Sequence, residues 1–375
     1  MIRGVFEPFG YGAIGKLSTD PDHPVTVIFT NGNVFTGQVD PSNHVLSGHG
    51  TVLFAENDRK NRKMFVGNFK KNTFHGFGTM TYSKPTVKNL YDILNNPVSY
   101  QGNWVYGKKD GKTLVKFSDS YPNTVTSFSG DYENDAIVNN DIGHPAKWTF
   151  KNGNVFIGNM KEIFDRDGYT KYLIKCNRGT LIYAKNSTHN PEKISEYTGH
   201  FRQNRWNLPE TLPNGPPGIM IWRNGANYTG KFIDNFRTDN TGKAIYFYPK
   251  RKKSKKLKYV GQFLKNKFQN NGKIYYKNGN SYQGHFHQNK MHGEGKFCYQ
   301  KKKICSVGEY WDDKKEGEFK FTKITDGSYF ITKFHEGKEM KQYREYYDER
   351  GRKVSGKKMK RRRSRKDKGR RRRKI

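Results

Sequence analysis

Cysteine is nearly absent. The 375 residues hold three, Cys176, Cys298 and Cys305, with no C-x-x-C pair. That count argues against a disulfide-stapled scaffold and points to a reducing, intracellular setting, cytoplasmic or nuclear rather than secreted. Acidic residues are scarce too, 34 Asp and Glu against 70 Lys and Arg, a net charge of +36. They are scattered, so no carboxylate pair suggests acid–base chemistry. No apolar run approaches the roughly 18–20 residues a membrane-spanning helix needs. Met1 to Gly15 lacks the apolar core of a signal peptide. No G-x-S-x-G occurs, and no Ser, Cys or His sits in a recognisable catalytic setting, so the expectation is a protein that is not an enzyme and needs no cofactor.

What the chain has in quantity is aromatic residues, 15% of the total, and glycine, 39 of them. They recur together. Glycines at 37, 67, 102, 130, 158, 199, 230, 261, 284 and 308 are spaced by 23 to 41 residues. Two positions before each stands an aromatic (Phe35, Phe65, Tyr100, Phe128, Phe156, Tyr197, Tyr228, Tyr259, Tyr282), except that Ser306 breaks the rule in the last unit. Two positions after comes another large apolar side chain, from Phe69 and Trp104 to Phe286 and Tyr310, with Val39 the smallest. Period-2 spacing places all three on one strand face. Asn-Gly turns at Asn31-Gly32, Asn152-Gly153, Asn224-Gly225 and Asn278-Gly279 separate the strands. Tyr282 to Tyr299 therefore reads as one β-hairpin. A lone hairpin is marginal in water, so the copies must stack.

These units resemble the MORN repeat (membrane occupation and recognition nexus), whose consensus is roughly Y-x-G-x-[WF]-x-x-G-x-x-x-G-x-G. Tyr282, Gly284, Phe286, Gly293 and Gly295 follow it, as do Phe65, Gly67, Phe69, Gly76 and Gly78. The units around Gly130 and Gly199 lack a clean second Gly-x-Gly, and the 41-residue interval after Gly158 conceals an irregular or lost unit. The resemblance implies an all-β, elongated solenoid of stacked antiparallel hairpins over residues 29–322, preceded by a cap at 1–28, irregular because of Pro8, Pro21 and Pro24. Some members of the family carry a separate catalytic domain, but no stretch outside the repeats is long enough for one. Peripheral attachment to anionic membranes is the role most often proposed for such repeats. Their abundance in large DNA viruses of protists adds a minor virion protein as a special case.

Several segments interrupt or follow the repeats. Residues 83–98 hold a stretch, 87–94, that suits a short helix. Residues 185–194 form a second insertion. Residues 205–217, with Pro209, Pro213, Pro216 and Pro217, are expected to be irregular. In 323–350 a last half-repeat precedes Met340, Tyr343 and Tyr347 at helical spacing, which predicts a short capping helix ending at Gly351.

Charge gathers in two places. Residues 350–375 carry 17 Lys and Arg against one Asp, and 250–258 carry a further seven. Residues 351–375 have no apolar pattern and are expected to stay disordered until they meet an acidic partner. The candidate polyanion-binding residues are Lys357, Lys358, Lys360, Arg361, Arg362, Arg363, Arg365, Lys366, Arg370, Arg371, Arg372, Arg373 and Lys374 in the tail. Lys250, Arg251, Lys252, Lys253, Lys255 and Lys256 join them in the loop. Such runs bind nucleic acid through counterion release and without sequence preference, since no aromatic in the tail can stack on bases. Anionic lipid and acidic protein surfaces are competing targets. The expected partners are other proteins on the repeat face and a polyanion on the tail, with no small-molecule substrate.

Two chemistry-bearing patterns read as structural. Gly10-Tyr11-Gly12-Ala13-Ile14-Gly15 spells G-x-G-x-x-G and runs into Lys16, but Leu17 stands where a phosphate-binding loop needs Ser or Thr. His285, His287, His292 and Cys298 offer zinc-ligating atoms, with the first two side by side on one strand face, but no second pair supports them.

Overall fold

A computed structural model describes residues 2–6, 10–14, 24–40, 42–83, 97–118, 125–138, 146–164, 170–186, 190, 192–202, 212–213, 215–249 and 254–355. Of residues 2–6, 10–14, 159–164, 170–177, 202, 212–213 and 215–216 it describes the backbone alone. The chain forms two compact units, Met1–Leu212 and Pro213–Ile375. Both are all-β, and the described residues contain no helix. No helix is long and apolar enough to cross a membrane.

Within each unit, successive strands pair antiparallel with their neighbours in sequence. The hairpin that carries the clearest repeat shows how. Ser281–His287 and Lys290–Tyr299 are joined by Gln288–Asn289, whose φ values of 49° and 73° are both positive. Such a two-residue turn matches the right-handed twist of the strands it joins. In the ladder Tyr282 faces Phe297, Gly284 faces Gly295 and Phe286 faces Met291. His292 to Glu294 therefore bulge opposite the single residue His285.

The paired glycines exist to receive a ring. Tyr282 is fully buried, and its ring lies across the Gly284–Gly295 pair. A Cβ on Gly284 would stand 2.5 Å from the Glu294 carbonyl oxygen and 2.6 Å from both the Gly295 Cα and the Tyr282 hydroxyl. Phe35, Phe65, Tyr100, Phe128, Phe156, Tyr197, Tyr228 and Tyr259 are likewise fully buried. Where the ring is tyrosine, its hydroxyl donates to the carbonyl three residues on: Tyr282 to His285 (3.1 Å), Tyr259 to Gln262 (2.9 Å), Tyr100 to Asn103 (3.0 Å). Phe35, Phe65, Tyr100, Phe156, Tyr228, Tyr259 and Tyr282 also meet edge-on the large side chain of the next repeat, as Tyr259 does Phe286 at 5.2 Å and Tyr282 does Tyr310 at 5.1 Å. T-shaped contacts of this kind add about 0.5–1.5 kcal/mol to the burial of each ring.

A second set of bonds ties turn to turn. Asn289 donates its N–H to the Phe268 carbonyl (3.1 Å), and its Oδ1 accepts the Phe268 N–H (2.8 Å). Asp313 does the same to Met291 (2.9 and 2.8 Å), and Asn266 to Arg237 (3.0 and 2.8 Å). At the opposite strand ends, Asn33, Asn154 and Asn280 accept the N–H of Ala55, Ala184 and Gln300 in the next turn. The Asn and Asp of the turns thus serve twice: they tolerate positive φ, and they stitch neighbouring repeats.

Several expectations are corrected. Lys338–Tyr347 is not a capping helix but a strand, paired with Tyr329–His335 and followed by Lys353–Val354. Glu336-Gly337 make another tight turn, with φ of 50° and 79°, and backbone pairing across that hairpin outweighs the helical spacing of Met340, Tyr343 and Tyr347. Pro216 and Pro217 lie within the strand Gly215–Trp222, in the bulge between the pairs Gly215–Phe232 and Gly218–Gly230, where no ladder donor is needed. The described parts of residues 1–28 are not irregular: Ile2–Phe6, Gly10–Ile14 and Val25–Phe29 are strands, and Gly10 to Ile14 of the G-x-G-x-x-G sequence form one arm of a hairpin. The long interval after Gly158 is filled by one hairpin with an extended return strand, Thr170–Ile182. The helix expected at 87–94 lies outside the described residues.

Candidate functional site

The residues expected to bind polyanions fall almost wholly outside the described residues: Lys357 to Lys374 in the tail, and Lys250, Arg251, Lys252 and Lys253 in the loop. Of the set, Lys255 and Lys256 are described. Lys255 is exposed, and its carbonyl accepts the Lys277 N–H at 2.9 Å. Lys256 is half-buried with its ammonium 5.7 Å from the centre of the Tyr248 ring.

The histidines do not converge on a metal. His287 reaches the Gln269 amide at 3.2 Å, and His292 leans on the Trp311 ring at 4.4 Å with Asp312 3.8 Å away. Cys298 is bonded to Cys305 on the neighbouring strand, which withdraws it from any ligand set. Among the described residues no group of three or more His, Cys, Asp or Glu could hold a metal ion.

Sequence reasoning missed three caged cations. In the hairpins the residue opposite the second large side chain reaches over the rings, and at Phe74, Phe268 and Met291 it is apolar. Lys109, Arg237 and Lys315 take that place elsewhere. Arg237 sits 5.2–5.8 Å from the ring centres of Trp222, Tyr228, Tyr246 and Phe263. Lys315 lies 4.3–5.0 Å from those of Phe319, Phe321 and Phe334, and donates to the Ser306 hydroxyl (3.1 Å) and the Tyr299 hydroxyl (3.3 Å). Burial pulls its ammonium down to about 8. The signal was present in the sequence. Ser306 stands where every other repeat has a ring, and Phe319 from the partner strand now covers Gly308 instead. These cations face inward and hold rings together.

The edge formed by the two-residue turns is different in kind. Trp311, Leu264, Phe236 and Ile233 flank successive turns and are 64, 50, 45 and 40% exposed. Lys267, Lys290 and Lys314 stand beside them, exposed, with Lys290 paired to Asp312 at 2.6 Å. A shallow groove opens next to this edge, lined by Lys231, Ile233, Asn240, Gln262, Leu264 and Gln269 among others. It gathers amides and a lysine, but no nucleophile paired with a base.

Set against known families, residues 65–84, 100–112, 259–281 and 282–302 match the MORN repeat. These segments contain the ring–glycine units of Phe65, Tyr100, Tyr259 and Tyr282 described above. No curated protein matches the chain.

Proposed function

We propose that this chain, which belongs to the MORN-repeat proteins, is a non-catalytic scaffold whose repeat surface contacts other proteins while its basic arm grips a polyanion. The observation that carries this reading is the division of labour in the residues. The repeats place their aromatics inside, one ring per glycine pair, and their turn amides in the stitching. The densest positive charge in the sequence, in contrast, falls in residues 250–255 and 357–374, which contain none of the ring–glycine positions of the repeat. Nucleic acid is the partner that such a charge run binds most strongly at low salt. A structural component of a virion, with the arm against the genome and the repeats against a shell, is the special case the family suggests.

The test is duplex binding by the full chain and by a full-length variant with the thirteen tail cations replaced by Gln. The intact chain should bind with a steep salt dependence. The variant should melt at the same temperature yet lose most of the slope. A variant that keeps the full slope refutes the role given to the arm.

A second reading, a peripheral adaptor on anionic membranes, is favoured by the exposed Trp311, Leu264, Phe236 and Ile233 beside Lys267, Lys290 and Lys314. Apolar side chains next to lysines suit the headgroup boundary. Flotation with anionic vesicles distinguishes the readings: Trp311→Ala with Leu264→Ala should abolish lipid association if this edge inserts, and leave duplex binding intact.

A further inference from the structure

We infer that one edge of the second unit is a linear basic ridge on which a nucleic-acid duplex lies along its phosphate backbone. The ridge is distinct from the tail and from the loop at 250–253, although the choice of ligand rests on the polyanion reading above.

Five connecting turns meet at that edge. The Lys277 N–H donates to the Lys255 carbonyl at 2.9 Å. The Gln300 N–H donates to Asn280 Oδ1 at 3.0 Å, and the Ile324 N–H to the Lys303 carbonyl at 2.9 Å. A Cβ on Gly327 would lie 3.6 Å from the Glu349 Cβ. Turns far apart in sequence are thereby lined up in space. Each step spans two strands, about 9.6 Å, so the five turns extend over about 38 Å. That is the length of about 11 base pairs.

The charge on this edge is lopsided. Lys255, Lys277, Lys301, Lys302, Lys303 and Arg350 are all exposed there, and with Lys256, Lys323, Arg352 and Lys353 they face Asp326, Asp348 and Glu349. The opposite edge of the same sheet is the control that the molecule itself provides. Its turns 234–235, 265–266, 288–289, 312–313 and 336–337, counted with their flanking residues as on the ridge, carry Lys265, Lys267, Lys290, Lys314 and Lys338 against Asp234, Asp312, Asp313 and Glu336, nearly neutral where the ridge has ten cations against three acids. A general excess of lysine would load both edges alike. Here the fold sorts the charge, while exposed apolar side chains stand at both edges, Trp311 and Leu264 on the far one and Ile324 and Leu257 on the ridge.

That sorting selects the ligand. A narrow line of cations neutralises a linear array of phosphates along its whole length. A bilayer would instead be held best where an exposed indole adjoins lysines, as Trp311 does beside Lys290 and Lys314 on the far edge. Near the ridge Phe247 is an exposed ring with the Lys258 ammonium 5.9 Å from its centre, but a single ring is no platform for successive bases, so the fitting partner is a duplex bound without sequence preference.

The experiment uses the full chain. Lys255, Lys301, Lys302 and Lys303 are changed together to Gln, and a matched variant carries Lys265→Gln, Lys267→Gln, Lys290→Gln and Lys314→Gln. Affinity for a 20-base-pair duplex is measured from 50 to 200 mM salt. The ridge variant should reduce the slope of log K against log salt by about 3.6, at about 0.9 for each of the four phosphates no longer neutralised, and the far-edge variant should leave it unchanged. Equal losses in both variants overturn the ridge and leave only bulk charge. An unchanged slope in the ridge variant, with the slope lost when the tail is neutralised, overturns the ridge while the arm reading stands. Ridge-dependent binding that survives neutralisation of the tail supports the ridge and removes the arm from the account. Binding to anionic vesicles in place of duplex, with the same ridge dependence, overturns the choice of nucleic acid.

Discussion

Gly284 and Gly295 face each other under the same ring, yet they should respond differently to an added methyl group. A Cβ on Gly295 meets only atoms of the Tyr282 ring, at less than van der Waals distance. A Cβ on Gly284 meets the Glu294 carbonyl oxygen at 2.5 Å and the Gly295 Cα at 2.6 Å, both backbone. Overpacking of this kind costs about 1–3 kcal/mol. Gly295→Ala, at about 2 kcal/mol, should therefore raise amide exchange across 281–299 about 30-fold, since each repeat opens against its neighbours. Gly284→Ala should cost at least as much.

The decisive step is the double variant. Tyr282→Leu withdraws the ring, so Gly295→Ala in that background should cost less by about 1–2 kcal/mol, whereas Gly284→Ala, relieved of the hydroxyl at 2.6 Å but still blocked by backbone, should couple distinctly less. Exchange measured by mass spectrometry on peptides spanning the hairpin reads both cycles without assuming that the two units unfold together. Equal coupling at the two glycines would show that the ring–glycine packing is not what fixes them, and the account of the repeat would fail with it.

Four further outcomes follow from the structure. Asn289→Ala should cost about 1 kcal/mol by leaving the Phe268 N–H without its acceptor. Gly107→Asn, in a turn with φ of 83° and open space around the Cβ, should gain a few tenths to about 1 kcal/mol by supplying the turn side chain that this repeat lacks; thermal melts check both. Lys315 binds its proton less tightly folded, near 8, than unfolded, near 10.5. Between those values the unfolded chain holds the extra proton, so this group's contribution to stability should rise with pH, and Lys315→Met should stabilise more at pH 7 than at pH 10. Urea midpoints at the two pH values decide it. The Cys298–Cys305 bond closes a loop with a sequence separation of 7, so replacing both by Ser should cost at most about 2 kcal/mol. Peptide mapping without reductant should recover the linked pair.

The repeat was legible because its signal is local. Ring, glycine and second ring lie within five residues, and alternation assigns their faces before any long-range contact is known. Tyr282, Gly284 and Phe286 are placed as the pattern predicts, and His285 and His287 point the other way. The end of the chain was misread for a related reason. Met340, Tyr343 and Tyr347 satisfy helical spacing, but what decides their conformation is an open sheet edge at Tyr329–His335, which no local window contains. Pro216 and Pro217 are the same lesson in reverse. Two residues that exclude regular structure by local rules are accommodated by a bulge whose partner is Phe232.

The cations show most sharply where a sequence stops being informative. Lys301-Lys302-Lys303 is a short run beside two much longer ones, and by composition it merits no notice. Lys277 is a lone lysine in a chain that has many, and Lys255 is one of seven basic residues in the run 250–258. Their significance is a matter of phase. Every hairpin returns the chain to the same edge, so whatever residue occupies a connecting turn is repeated in space at each return, while residues at the two-residue turns accumulate on the other side. A stacked hairpin architecture thus converts a difference of about eleven residues in sequence, half a repeat, into opposite edges of a sheet. Lysines that look evenly spread along the repeats become polarised once folded. The same geometry lets one protein present a basic edge and an apolar, acid-turned edge without any change in its core, since neither set of turn residues contributes a ring to the packing.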